Sequence, residues 1–178
     1  MTKILKQLLF GIGILLATIG VQAQDSSAYV LAVGDVISIH VFEEPDLSID
    51  KVEISDTGKI QYPPLGEIQA TGRTTAQLKQ TITAGLMPDY LVDARVSIII
   101  VEYRPYFLNG EVMKPGSYPY KPGIILRQAI TIAGDLTERA SKSKMTVISS
   151  GKTQTPVKVE MDYEIKPGDT ITIGESFF

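Results

Sequence analysis

Cysteine and tryptophan are absent from the 178 residues, and histidine occurs once, at His40. Without cysteine there is no disulfide framework, no thiolate metal site and no cysteine nucleophile. The lipid-bearing cysteine that opens a mature bacterial lipoprotein is missing for the same reason. One imidazole cannot share a metal with a second, and a lone histidine in an alternating strand reads as structural. No Gly-x-Ser-x-Gly elbow is present to support Ser-His-Asp chemistry. The 15 glycines are scattered in turns and form neither Gly-x-Gly-x-x-Gly nor a P-loop. Glu43, Glu44 and Asp46 form an acidic cluster, but near neighbours in sequence rarely bring two carboxylates to opposite sides of one sugar, so a solvated loop is predicted. The reading at this level is of no enzyme, with no catalytic, cofactor-binding or metal-binding residues. A basic stripe is lacking too, which excludes a nucleic-acid partner.

The N-terminus has its own pattern. Lys3 and Lys6 precede an apolar run from Leu8 to about Ile19, and Val21-Gln22-Ala23 places small or modest side chains where a signal peptidase reads. This predicts a cleaved signal peptide over residues 1–23, because a helical span needs about 20 apolar residues. No later stretch is long and apolar enough for such a span, which predicts a soluble mature chain. Without Lys3 and Lys6, the 17 basic residues fall to 15 against 20 acidic ones, a net charge of about −5. Residues 24–28 are polar and are predicted to be disordered.

From Tyr29 onward the chain alternates between strand and helix signals. Val36 to Val41 has the two-residue period of a strand. Val52, Ile54 and Ile60 flank Asp56-Thr57-Gly58, which predicts a hairpin turn. Two prolines keep Tyr62-Pro63-Pro64-Leu65-Gly66 out of any central strand. Thr74 and Gln77 fit a capping box that opens a helix to Leu86, with Leu78, Ile82 and Leu86 on one face and Pro88 ending it. Residues 95–104 carry aliphatic side chains on both faces, which predicts a buried strand in the middle of a sheet.

Pro105 marks the change to a second module. Pro115-Gly116 is a turn dipeptide, Ile124 to Ala133 reads as a helix capped by Gly134, and short strands are predicted near Thr146 and Val157. The last strand runs from Thr170 to Ile173. An internal echo links the two modules: residues 29–39 and 163–173 share the form Tyr-x-aliphatic-x-x-Gly-Asp-x-Ile-x-Ile. Gly34-Asp35 and Gly168-Asp169 are therefore predicted to be turns between paired strands, with glycine allowing positive φ and aspartate bonding nearby amides. Gly58 and Gly66 are further turn positions. Tyr103, Tyr106, Tyr118 and Tyr120 cluster where the modules meet. They are expected to be exposed, and either form part of a contact between subunits or seal the junction within one chain.

The order of these signals resembles the bacterial outer-membrane polysaccharide export family. Asp56-Thr57-Gly58, Pro64-Leu65-Gly66 and Gly72-Arg73-Thr74 before the helix look like its export domain. Asn109-Gly110-Glu111-Val112, Lys114-Pro115-Gly116-Ser117-Tyr118, residues 126–134 and Pro167-Gly168-Asp169-Thr170-Ile171 are similar to the soluble-ligand-binding β-grasp domain that follows it. The resemblance implies an α+β protein: an export module of mixed sheet and helix over residues 29–103, then a β-grasp module over 104–178. It further implies a periplasmic protein, either free or associated with the outer membrane, whose copies close into a ring around a polysaccharide chain. An inner-membrane co-polymerase and a separate outer-membrane β-barrel are the implied partners, since the family's lipid-bearing cysteine and C-terminal amphipathic helix are not found here. A periplasmic β-grasp module that holds a small soluble ligand or sugar, without a ring, is the alternative.

Overall fold

The computed structural model describes residues 29–87, 89–151 and 155–176. The expected signal peptide, the polar segment after it and Pro88 lie outside the described residues.

The first half contains β1 (Val36–Val41), β2 (Ile49–Glu53), β3 (Lys59–Tyr62), β4 (Gly66–Gln69), α1 (Thr75–Leu86) and β5 (Val96–Glu102). One antiparallel sheet has the order β2-β1-β5, and β3 pairs with β4 as a separate hairpin around Pro63-Pro64. The capping box is closed from both sides. Gln77 donates its amide to Thr74 Oγ1 at 3.2 Å, and Thr74 donates its amide to Gln77 Oε1 at 2.9 Å. Leu78, Ile82 and Leu86 are buried, and they share one core with Ile37, Ile39, Val41, Ile60 and Tyr62.

Two expectations for this half need correction. The Asp56-Thr57-Gly58 turn forms, with Gly58 at φ +78° and its amide bonded to the Ser55 carbonyl at 2.9 Å, but it joins no hairpin. Ile54 exchanges backbone bonds with Gly34 and Asp35, which holds the end of β2 against the start of β1. The Gly58 carbonyl accepts from Ala70 and Thr71, which holds β3 against β4. The turn is therefore a corner between two sheets. Residues 96–102 are an edge strand, not a central one. Val96, Ile98 and Ile100 pack on the core, whereas Ile99 is 60% exposed and Val101 is exposed as well. An aliphatic run on both faces does not create a second layer to cover the outer one.

The second half contains β6 (Tyr106–Gly110), β7 (Gly116–Tyr118), α2 (Leu126–Ile132), β8 (Ala140–Ile148), β9 (Val157–Lys158) and β10 (Thr170–Glu175). Its sheet has the order β7-β6-β10-β8-β9. The last strand thus lies in the middle, parallel to β6 and antiparallel to β8. Leu126, Ala129 and Ile130 of α2 share a core with Leu108, Met145, Val147, Ile171 and Ile173 of the sheet. The fold is α+β throughout. Gly134, at φ +85°, follows α2 and turns the chain out of it.

Tyr106 belongs to this core and is wholly buried, so it is no exposed contact residue. As the first residue of β6 it points inward, with Leu108 in the same phase of the strand.

Candidate functional site

The Gly-Asp echo extends well beyond two turns. In the first copy, Tyr29 donates its hydroxyl to Asp35 at 2.8 Å, and Asp35 Oδ2 also accepts the Ala32 amide at 2.8 Å. In the second, Tyr163 donates to Asp169 Oδ2 at 2.7 Å, and the same oxygen accepts the Lys166 amide at 2.9 Å. Both aspartates are fully buried. Gly34 and Gly168 have φ of +84° and +82°. Each arm forms an antiparallel bridge with the residue that begins a helix: Val30 with Thr74 before α1, and Glu164 with Ile125 before α2. Each helix then leads to a strand that pairs antiparallel with the strand leaving the arm, β5 with β1 and β8 with β10. The arms therefore do not reverse the chain between paired strands, as the sequence had suggested. They tie a helix start to a strand start.

The two arms meet at Arg104-Pro105. Arg104 donates its amide to Asp35 Oδ1 at 3.0 Å and its Nη1 to the Tyr29 hydroxyl at 3.0 Å, with Asp35 Oδ2 at 3.5 Å. Gly168 donates its amide to the Pro105 carbonyl, and Phe107 donates to the Asp169 carbonyl at 2.8 Å. Aromatic edges cross the same seam. Tyr29 and Tyr103 lie 5.0 Å apart, Tyr103 and Tyr120 5.3 Å apart, both edge to face. Tyr118 stacks on Tyr106 inside the second half. Of the four clustered tyrosines, Tyr103 and Tyr120 thus touch each other across the junction within one chain.

The arms also differ. A β-carbon on Gly34 would come no nearer than 3.6 Å to Arg104 Cβ, while one on Gly168 would lie 2.6 Å from Arg104 Nε and 2.9 Å from Ser150 Cβ. Gly34→Ala should then cost about 1–2 kcal/mol, the strain of a left-handed alanine. Gly168→Ala should cost more, and urea melts of the two variants give the comparison. Burial, followed by the bond to Asp35, pushes the Tyr29 hydroxyl far above its ordinary range. Burial and the bond to Asp169 push Tyr163 up to about 12. A phenol whose folded pKa is raised contributes stability that is complete below about pH 10 and is lost as the pH rises towards the folded value. Urea midpoints should therefore fall from about pH 10 to about pH 12. Tyr29→Phe and Tyr163→Phe should each flatten the fall.

A pocket of about 510 Å³ opens beside the seam, lined by Tyr29, Arg104, Tyr120, Ser149, Ser150, Lys166 and Asp169 among others. Two of its buried polar atoms, Arg104 Nε and Asp169 Oδ1, have no hydrogen-bond partner. The earlier candidates for chemistry lie elsewhere. His40 is exposed on β1, near Phe42 and Arg95, whose guanidinium stacks 4.0 Å from the Phe42 ring. Glu43 is exposed and pairs loosely with Arg95 at 3.8 Å. Among the described residues, no group of three or more histidine, aspartate or glutamate side chains is placed to hold a metal. Arg104 is the residue that sequence reasoning passed over, because its partner Asp35 is 69 positions away and a single arginine beside a proline has no local signature.

The profile of the polysaccharide biosynthesis/export protein family matches residues 23–101, and that of the SLBB domain matches residues 105–158. The two matches are adjacent and together support the polysaccharide export family. The exopolysaccharide production protein ExoF of Rhizobium meliloti (strain 1021) is 31% identical over 85 residues, which is 47% of this chain and 20% of that protein. The EPS I polysaccharide export outer membrane protein EpsA of Ralstonia nicotianae is 24% identical over 162 residues, 76% of this chain and 42% of the relative. Its counterpart in Ralstonia solanacearum is 24% identical over 153 residues, 71% of this chain and 40% of the relative. The chain therefore aligns with less than half the length of each of these relatives.

Proposed function

We propose that this protein is a periplasmic component of an exopolysaccharide export machine, in which copies of the chain form part of a ring-like conduit for the polymer. The observation that carries the reading is the pair of matched domains, adjacent and in this order in the chain, together with its likeness to proteins named for exopolysaccharide production and export. Residues 29–103 serve as the export module and 104–178 as the ligand-binding module, with the seam at Arg104 holding them at one angle. A fixed angle suits a ring, because a heterologous contact closes only if each subunit presents its two surfaces in constant orientation. The work is confinement: a hydrophilic chain is kept from the membrane, and weak polar contacts let it slide. An inner-membrane co-polymerase would deliver the polymer, and an outer-membrane β-barrel would release it.

Deleting the gene should trap polymer in the periplasm, measured as sugar content of the osmotic-shock fraction against the medium, and restoring the gene should reverse this. Normal polymer in the medium of the deletion strain removes the export role. Cross-linking in cells should give a ladder of multimers. A protein that stays monomeric there, with its partners present, is a binding module without a ring.

A further inference from the structure

We propose that β5 is a docking strand, and that its occupant is β5 of a second copy of this chain, paired antiparallel edge to edge. β5 pairs with β1 alone, and among the described residues its other edge makes no backbone hydrogen bond. An open edge is a row of unpaired amides and carbonyls that a further strand can satisfy, and proteins blunt such edges with short strands, charges, prolines or bulges. The other edges here are blunted. β3 and β4 have four residues each, β7 has three and β9 two. β2 carries Asp50, Lys51 and Glu53 and loses register between Ile37 and Ile39. β5 has seven residues, and from Val96 to Val101 it contains neither a charge nor a proline. Its register against β1 is regular from Val96 to Ile100 and shifts only at its end. Ile99 and Val101 are exposed on the outer face of the same strand.

The surroundings of the strand select a copy of itself. A groove of about 390 Å³ opens at its first residues, lined by residues 94–97, by Lys79 and Thr83 of α1 and by His40 and Phe42. Its permanently charged side chains, Lys79 and Arg95, are cationic. Lys79 has no ion-pair partner among the described residues, and Arg95 reaches Glu43 and Asp93 only at 3.8 Å. The groove therefore fits a carboxylate. At its other end the strand holds one, Glu102, exposed beside Lys51. Antiparallel pairing about Ile99 sets Ile99 against Ile99 of the second copy, Ser97 against Val101, and Val96 against Glu102. Each Glu102 then reaches the other copy's groove beside Arg95, and the aliphatic side chains of the two outer faces lie next to one another. A two-fold axis normal to the sheet keeps both cores on one side and joins two three-stranded sheets into one, in the order β2-β1-β5-β5-β1-β2. Such a contact closes on itself, so it is distinct from the heterologous contact of a ring and does not rest on the export reading.

The chain has no cysteine, so an introduced one reports a single contact. Ile99→Cys, mildly oxidised, should give a covalent dimer, because facing residues on paired strands lie about 4.5–5.5 Å apart at Cβ. Asp50→Cys, on the opposite edge of the sheet, should link only at the rate of random collision. In sedimentation of the purified protein the dimer should grow with concentration. Ile99→Lys sets two like charges face to face and should weaken the dimer about tenfold or more. Arg95→Glu should weaken it as well, and the circular dichroism of both variants should stay unchanged. Three results overturn the proposal: an unaltered protein that stays monomeric at the highest attainable concentration, an Ile99→Cys link that forms no faster than the Asp50→Cys one, or full dimerisation by both Ile99→Lys and Arg95→Glu. A faster link between Ile99→Cys and Asp50→Cys copies than between two Ile99→Cys copies overturns it too, since β5 would then meet β2 of the next copy. A dimer in a protein whose deletion leaves secretion normal keeps the pairing and discards the export reading; a secretion defect with no dimer does the reverse.

Discussion

Replacing Asp35 with alanine should destabilise the protein by about 3–5 kcal/mol, the usual cost of removing one partner from a buried ion pair. Asp35 is wholly buried and accepts from the Tyr29 hydroxyl, the Ala32 amide, the Arg104 amide and the Arg104 guanidinium. Alanine leaves the Tyr29 hydroxyl and the Ala32 and Arg104 amides without their acceptor, and Arg104, whose side chain is only 17% exposed, keeps its bond to the Tyr29 oxygen but loses the carboxylate opposite its charge. Asp169→Ala is the internal control. It releases only the Tyr163 hydroxyl and the Lys166 amide, because its other oxygen is already free. Its cost should be smaller, about 1–3 kcal/mol. Urea unfolding of both variants, followed by circular dichroism, gives the two numbers. Equal losses would falsify the view that Arg104 ties the halves together through Asp35.

Gly110→Ala should be comparably damaging, with an expected loss of about 2–5 kcal/mol from backbone strain and overpacking together. Gly110 ends β6 at φ +80°, where an alanine is already strained. Its added β-carbon would overlap the carbonyl oxygen of Ile173, the residue it faces in the parallel ladder. That oxygen also accepts the Glu111 amide, so it cannot withdraw without breaking another bond. Gly66→Ala is the contrasting case. Gly66 has a similar φ of +73°, but nothing lies within 4 Å of an added β-carbon, so only the torsional part remains. The difference between the two melting midpoints isolates the steric part.

Much of this fold is legible in the residues because its strongest signals are local. The capping box of α1 and the four-residue spacing of Leu78, Ile82 and Leu86 need no knowledge of the rest of the chain. The Gly-Asp echo is equally local, since Tyr29 reaches Asp35, and Tyr163 reaches Asp169, over six positions. What failed to show depends on distant partners. Four aliphatic residues in a row at 98–101, with Val96 before them, do not reveal whether a layer lies beyond Ile99. The turn at Gly58 does not say that Ala70 and Thr71 will claim its carbonyl. Tyr106 looks like its neighbours Tyr103 and Tyr118 until the strand phase buries it. The seam pocket is least legible of all, because residues 29, 104, 120, 150 and 169 come together only after both halves have formed.

The placement of β10 sets the order in which the protein can assemble. A ribosome releases the chain N-terminus first, and everything the first sheet needs has emerged by Glu102. The second sheet must wait. Until Thr170–Glu175 appears, β6 with β7 and β8 with β9 are two unconnected hairpins, with Leu108, Met145 and Val147 lacking their central neighbour. Pairing Phe107 with Thr170 closes a long loop, the kind of contact that slows folding and leaves strand edges open in the interval. Gly168 and Asp169 arrive with the same last segment, so the joint with Arg104 and Pro105 is completed in the final step. The nascent protein therefore passes through a stage with one finished half and one sticky, gapped half, and a chain truncated before residue 170 stays there.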